Sequence, residues 1–230
     1  LLPVQHPKFE ELASIVLDSA RAPAYLMLPK PRHLAAVQRA AHAIDRLGGG
    51  AVPLHALIET HGALAEVQAI AAHPRIQSLS FGLMDFVSAH RGAIPASAMG
   101  VKGQFEHPLV VRAKLEIAAA CHTHAKVPSH CVVTEFKHAR ALMDAATVAC
   151  RQFGYTRMWS IHPDQIRTIV DAFTPSVAEV DQAVEIITAA HAAQWGPIRH
   201  HDTLHDRASY RYFWQILERA HRTSYADGPQ

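Results

Sequence analysis

Short apolar runs alternate with helix-period segments along most of this chain, and no hairpin turn signal separates consecutive runs. Antiparallel strands can be joined by two residues, whereas parallel strands need a crossover of a dozen or more. The alternation therefore argues for parallel strands flanked by helices. Its clearest instance is Pro53 to Phe86, PLHALIETHGALAEVQAIAAHPRIQSLSFGLMDF. In the first run Leu54, Ala56 and Ile58 alternate with His55, Leu57 and Glu59, and period two sends the second set to the opposite face of a strand. Glu59 then ends a strand, and Thr60-His61-Gly62 opens a helix. The second run, Ser78 to Phe81, leads into Gly82-Leu83-Met84-Asp85, where a glycine lets the backbone turn and present its N–H groups. Parallel pairing puts Glu59 and Asp85 at the C-terminal edge of the sheet, where α/β proteins place their chemistry.

The rest of the chain repeats the pattern. Helical spacing over 5–21 is followed by a strand at 24–28 and the turn Pro29-Lys30-Pro31, then by a helix over 32–47 stopped by Gly48-Gly49-Gly50. After strand 54–59 come helix 62–72, strand 77–82 and an irregular excursion at 86–106 broken by Gly92, Pro95, Gly100 and Gly103. Helix 108–125, a strand at Cys131-Val132-Val133, helix 136–152, a strand from Met158 to Ile161 and helix 163–171 follow. Ser176 caps a long helix to Ala193. About five strands are legible where a complete (β/α)8 barrel has eight, and the missing βα units would precede Leu1. The expected domains are a barrel over 1–195 and a C-terminal helical extension over 196–230. In that extension Tyr210, Tyr212, Phe213 and Trp214 are candidates for docking on a neighbouring subunit.

With 230 residues and 49% apolar content, the chain can bury a sizeable core. Its net charge of +2 is spread without basic clusters, which argues against nucleic acid or an anionic membrane as partner. No apolar run approaches a membrane span, and no leader pattern is visible. Cys121, Cys131 and Cys150 lack metal-type spacing and read as free thiols in a reducing cytoplasm. Of the 18 histidines, His122/His124 and His200/His201/His205 could bind metal, but no His-Glu-x-x-His motif frames them and surface positions are expected.

Two carboxylates on neighbouring strand ends suit a hard divalent cation, since Mg²⁺ typically takes one or two carboxylates and completes its octahedron with substrate and water. Such a metal could chelate a 2-oxo acid and stabilise the enolate formed when a carbon–carbon bond breaks. Backbone N–H groups around Gly82 to Met84 could hold the substrate carboxylate. Alternatively, Glu59 favours a helix dipole and Asp85 caps the next segment. Glycoside hydrolysis by a carboxylate pair has little support, because none of the three Trp lies near either residue in sequence.

At these residues the sequence resembles the HpcH/HpaI aldolase and citrate lyase β-subunit family. IETHGAL at 58–64 and SFGLMDF at 80–86 are similar to its paired strand ends, and YLMLPK at 25–30 to its strand ending in Leu-Pro-Lys. GYTRMWSIHPDQIRTIVDAFTPS at 154–176 and HDTLHDRASYRYFWQILERA at 201–220 resemble its late segments. The resemblance implies a (β/α)8 TIM barrel assembled into homotrimers or hexamers, with Mg²⁺ held by Glu59 and Asp85. It implies a carbon–carbon lyase acting on a 3-hydroxy-acid thioester of citryl or malyl type, carried by CoA or an acyl carrier. Glu59 would serve metal, substrate and catalysis; Gly82, Leu83, Met84 and Lys30 would contact substrate. The alternatives are a retro-aldolase on free 2-oxo acids giving pyruvate, and a non-catalytic barrel subunit, the latter because the family's early Arg has no counterpart in residues 1–4.

Overall fold

The computed structural model describes residues 2–19, 23–135 and 138–224. The ends of the expected helices at 20–21 and 136–137 lie outside the described residues. The chain runs α1 (Phe9–Leu17), β1 (Leu26–Leu28), α2 (Leu34–Arg46), β2 (Leu54–Ile58), α3 (His61–Ala65), α4 (Val67–Ala72), β3 (Ile76–Phe81) and α5 (Leu83–Ser88). Two 3-10 turns, Ala96–Met99 and Gly103–Phe105, lead to α6 (Pro108–Thr123), β4 (Val127–His130), α7 (Ala139–Arg151), β5 (Arg157–Met158) and α8 (Asp164–Phe173). The last elements are α9 (Val177–Ala192), β6 (Ile198–His200), β7 (Thr203–His205) and α10 (Arg207–Ser224).

Strands β1 to β5 form one sheet in sequence order, and every neighbouring pair is parallel. The expected βαβ architecture is therefore present. Its core follows from the two periodicities. Leu54, Ala56 and Ile58 are completely buried on one face of β2, and α2 covers that side with Ala36, Val37, Ala40, Ala41, Ala43 and Ile44. Those spacings trace one stripe of a helix, and burying each Leu or Ile contributes about 1.5–3 kcal/mol. The opposite face of the strands is polar. There His55 sits between Ser78 and Ser80 of β3, its Nδ1 2.6 Å and its Nε2 2.8 Å from their hydroxyls, and all three side chains are buried. Among the described residues no helix is long and apolar enough to cross a membrane.

Several elements differ from the sequence expectation. The strand expected at Cys131–Val133 lies at Val127–His130, and Cys131 to Val133 form the loop beyond its C-terminal end. Polar Ser129 and His130 hide this strand from a hydrophobicity reading, although both are fully buried. The helix expected over 62–72 is broken at Glu66, whose Oε2 instead accepts a 2.7 Å hydrogen bond from the Leu34 N–H at the start of α2. The strand expected to reach Ile161 ends at Met158. The excursion at 86–106 holds the end of α5 and the two 3-10 turns.

The chain divides into two compact units, Leu1–Ile169 and Val170–Gln230, ahead of the boundary expected at 195/196. The cause is apolar packing within the second unit, where Ala183, Ile186 and Ala190 of α9 bury against Tyr210, Phe213 and Ile216 of α10. Tyr210 and Phe213 are thus buried rather than available for docking, while Tyr212 and Trp214 remain about half exposed. Ser176 caps α9 as expected: its Oγ accepts from the Glu179 N–H, and Glu179 Oε2 accepts from the Ser176 N–H. A β6–β7 hairpin precedes α10, contrary to the absence of hairpins expected from sequence. Its two-residue turn is His201-Asp202 rather than a glycine-containing pair, so no hairpin signature marks it in the sequence.

Candidate active site

Register decides where the carboxylates fall. Ile58 pairs with Phe81, so Glu59 and Gly82 follow side by side as the chain leaves β2 and β3. The Gly82 N–H donates to Ile58 O at 2.8 Å, holding the two strand tips together. A Cβ at Gly82 would come within 2.4 Å of Glu59 Cβ and 2.6 Å of Glu59 Oε2. Glycine is therefore what lets the Glu59 side chain lie across the adjacent strand end. Three residues on, Asp85 stands in the first turn of α5.

Lys30 ties the two carboxylates together. Its N–H donates to Glu59 Oε1 at 2.7 Å, and its Nζ donates to Asp85 Oδ1 at 2.8 Å. This double reach uses a left-handed backbone, with φ of 48° at Lys30. A non-glycine residue held there stores on the order of 1–3 kcal/mol of strain, and such residues cluster at functional sites. The three groups differ in their exposure to water. Glu59 is 3% exposed, whereas the Lys30 and Asp85 side chains are each half exposed. Burial pushes the Glu59 carboxyl up to about 7; the Lys30 N–H opposes that rise, and the neighbouring Asp85 charge adds to it. The Lys30 ammonium is pushed up by its hydrogen bond to Asp85.

Glu59 and Asp85 open on a cavity of about 160 Å³. Gly82, Leu83 and Met84 line it with them, as do Leu57, Phe81, Cys131, Val132 and Trp159. The Gly82 N–H is already used within the sheet, which corrects the expectation that it is free for a ligand. Leu83 and Met84 begin α5, where the first N–H groups of a helix have no intrahelical acceptor. Trp159 also corrects the sequence reading, because it is close to the carboxylates in space although far away in sequence. It follows β5, and parallel pairing of β4 with β5 brings it to the same sheet edge. No local sequence signal marks Trp159, Cys131 or Val132 as cavity residues.

Behind the Cys131 wall lies a buried polar cluster that the sequence did not announce. Lys114 is fully buried, with its Nζ 2.7 Å from Gln104 Oε1, 2.8 Å from His130 Nε2 and 4.0 Å from the centre of the Phe105 ring. Burial lowers this lysine to about 8 and holds the His130 imidazole well below its usual range. Cys131 Sγ lies 3.3 Å from Gln104 Oε1, and burial raises its thiol. His122, weighed as a metal ligand in the sequence, places its Nε2 2.8 Å from Gly154 O.

Comparison with known proteins places this arrangement. No protein-family profile matches the chain. A solved citrate lyase from Burkholderia xenovorans LB400 is 52% identical, with a TM-score of 0.86 over 96% of this chain and 71% of that one. The chain belongs to the HpcH/HpaI aldolase and citrate lyase β-subunit family. Within the wider family, an L-malyl-CoA/β-methylmalyl-CoA lyase from Cereibacter sphaeroides is 30% identical over 187 residues, covering 74% of this chain. A Rhodobacter capsulatus enzyme of the same name is 28% identical over 204 residues. The chain spans 57% and 63% of the lengths of these two relatives. The CitE protein of Mycobacterium tuberculosis, solved with magnesium, acetoacetate and coenzyme A, shares the fold at 21% identity and a TM-score of 0.69, over 86% of this chain and 68% of that one.

Proposed function

We propose that the chain is the metal-binding part of a Mg²⁺-dependent carbon–carbon lyase that cleaves or forms a 3-hydroxy-acid thioester of citryl or malyl type. The observation that carries this reading is the convergence of Glu59 and Asp85, from neighbouring parallel strand ends, on one small cavity. The donor set fits the ion. Glu59 and Asp85 offer carboxylate oxygens, the donors Mg²⁺ prefers, to one cavity, and Asp85 already pairs with a cation, the Lys30 ammonium at 2.8 Å. Glu59 and Asp85 would hold Mg²⁺ as its protein ligands. When bound, the ion supplies Lewis-acid polarisation of the substrate oxygens. Relatives named malyl-CoA lyases and the magnesium complex of the M. tuberculosis protein support the assignment.

The chain's own residues supply the rest. The N–H groups of Leu83 and Met84, at the start of α5 beside the cavity, would receive a substrate carboxylate, since a helix start favours negative charge. Leu57, Phe81, Val132 and Trp159 give the cavity an apolar wall beside the two carboxylates. Lys30 brings positive charge to the mouth and, through its N–H, fixes the Glu59 carboxylate at Oε1. Without the ion, burial holds the Glu59 carboxyl at about 7, so taking up the ion near neutral pH displaces a proton from Glu59. Five parallel strands in sequence order match an arc of a (β/α)8 barrel, with chemistry on its C-terminal face. Homotrimer or hexamer assembly and a cytoplasmic location complete the proposal, the latter supported by three free cysteines.

The test is Mg²⁺-dependent cleavage of malyl-CoA and citryl-CoA, alongside a panel of free hydroxy and 2-oxo acids. Glu59→Gln and Asp85→Asn should each lower turnover by about two orders of magnitude with unchanged circular dichroism. Unchanged turnover in both variants refutes the assignment. The small cavity volume also suits a short free acid, which makes a pyruvate-yielding retro-aldolase the second reading. Preference for free acid over thioester in the same panel selects it.

A further inference from the structure

Far from the carboxylate cavity in sequence, the second compact unit gathers three metal-ligating side chains that the proposed reaction does not use. We propose that Glu185, His200 and His201 bind a borderline divalent ion of the Zn²⁺ type, which fastens the β6–β7 hairpin to α9. Neighbouring side chains on a strand normally point to opposite faces. Here the second histidine lies in the turn, where His201 and Asp202 take left-handed φ values of 43° and 59°. That turn swings the His201 ring back beside His200, with ring centres 4.1 Å apart and nearly edge-on at 72°. Arg199 pairs with Asp202 across the same turn and fixes its shape.

Glu185 arrives from α9. Its Oε2 lies 2.8 Å from His200 Nε2 and 4.0 Å from His201 Nε2, and the three ligand atoms all fall within 4.8 Å of one another. A tetrahedral ion with bonds of about 2.0–2.1 Å holds its ligands about 3.3 Å apart, so these separations bracket the spacing required. Among the described residues, the Glu185 carboxylate pairs with these two imidazoles and with no lysine or arginine. Two imidazole nitrogens and one carboxylate select Zn²⁺ or a similar ion over Mg²⁺, which prefers oxygen. The His200 side chain is 16% exposed and that of His201 82%, so the cluster opens to solvent on one side and water completes the fourth position. On binding, the ion replaces the proton shared by His200 Nε2 and Glu185 Oε2. The neutral imidazole then carries that proton on Nδ1. His205, with its Nδ1 3.3 Å from Ser209 Oγ, is left out of the ligand set.

The experiment titrates the full chain with Zn²⁺ in excess Mg²⁺ by calorimetry, and with Co²⁺ by visible absorption. The wild type is expected to bind Zn²⁺ with a rise in Tm and to give the intense Co²⁺ bands of a four-coordinate site. The pair His200→Asn/His201→Asn, and separately Glu185→Gln, should weaken binding by about tenfold or more and abolish the Tm rise. Glu59→Gln and His122→Asn/His124→Asn should leave it intact. Failure of the wild type to bind Zn²⁺ overturns the proposal, as does equal binding by the His200/His201 variant with a native dichroism spectrum. Loss of binding in Glu59→Gln would move the ion to the carboxylate cavity and overturn it equally.

Discussion

Replacing Glu59 by Gln should stabilise the metal-free chain while weakening the proposed Mg²⁺ site. Burial raises the Glu59 carboxyl from the ordinary 4.5 to about 7. In the folded chain the protonated form is therefore favoured, so between pH 4.5 and 7 the native state binds more protons than the unfolded one. Stability from this group is fully present below 4.5 and is lost as pH rises through 7. At about 1.4 kcal/mol per pKa unit, the ionised carboxylate at pH 8 costs about 3 kcal/mol relative to a neutral side chain. Gln keeps the acceptor for the Lys30 N–H, and its amide N–H groups can donate towards Asp85. Urea melts in EDTA should thus show Glu59→Gln more stable than wild type by about 3 kcal/mol at pH 8 and by less than about 1 kcal/mol at pH 5. A variant no more stable at pH 8, or a gap that does not change with pH, would refute the claim that burial perturbs this carboxylate. Addition of Mg²⁺ should reverse the order at pH 8, because only the wild type gains binding energy.

Gly82→Ala must displace Glu59, since the new Cβ would lie 2.4 Å from Glu59 Cβ. A loss of about 1–3 kcal/mol in urea melts should accompany weaker Mg²⁺ binding by calorimetry. Lys114 is lowered to about 8, so the unfolded state holds its proton more strongly and this group's contribution to stability should rise between pH 8 and 10.5, while those of the buried Cys121 and Cys131 thiols, raised by burial, fall. Thermal melts should therefore show Lys114→Met losing stability relative to wild type as pH climbs through that range, because the variant lacks the rising contribution. Trp159 lines the cavity, so acetoacetate added with Mg²⁺ should change tryptophan emission in wild type, and Trp159→Phe should remove most of the change.

The parts of the fold that were legible in the sequence are those where one periodicity acts alone. Leu54, Ala56 and Ile58 alternate cleanly with polar or half-buried neighbours, and this alternation located both β2 and the carboxylate at its end. Strand β4 does not stand out because Pro128, Ser129 and His130 look like a loop; all three are buried, His130 against Lys114 and Ser129 with no hydrogen-bond partner for its hydroxyl among the described residues. The hairpin at 198–205 was missed because its turn takes left-handed residues without glycine. Within the site, the carboxylates could be read from strand ends, but Trp159 and Cys131 could not. Their membership depends on which strands are neighbours, and pairing is a long-range property. The double role of Lys30 was likewise hidden, since it arises from one backbone dihedral.

Strand order has a consequence for how the chain acquires its structure. Each of β1 to β5 pairs with the strand just before or after it in sequence, and none is inserted between two earlier ones. Every pairing therefore closes a loop of one βα unit, which keeps contact order low for a parallel sheet. Synthesis from the N-terminus can add strands one at a time to a growing edge. Until the next strand emerges, that edge carries unpaired backbone groups. The carboxylate pair is complete once Asp85 has left the ribosome, long before the cavity gains its Trp159 wall. A ribosome-stalled series ending after β3, β4 and β5 would show successive protection of the preceding strand by hydrogen exchange.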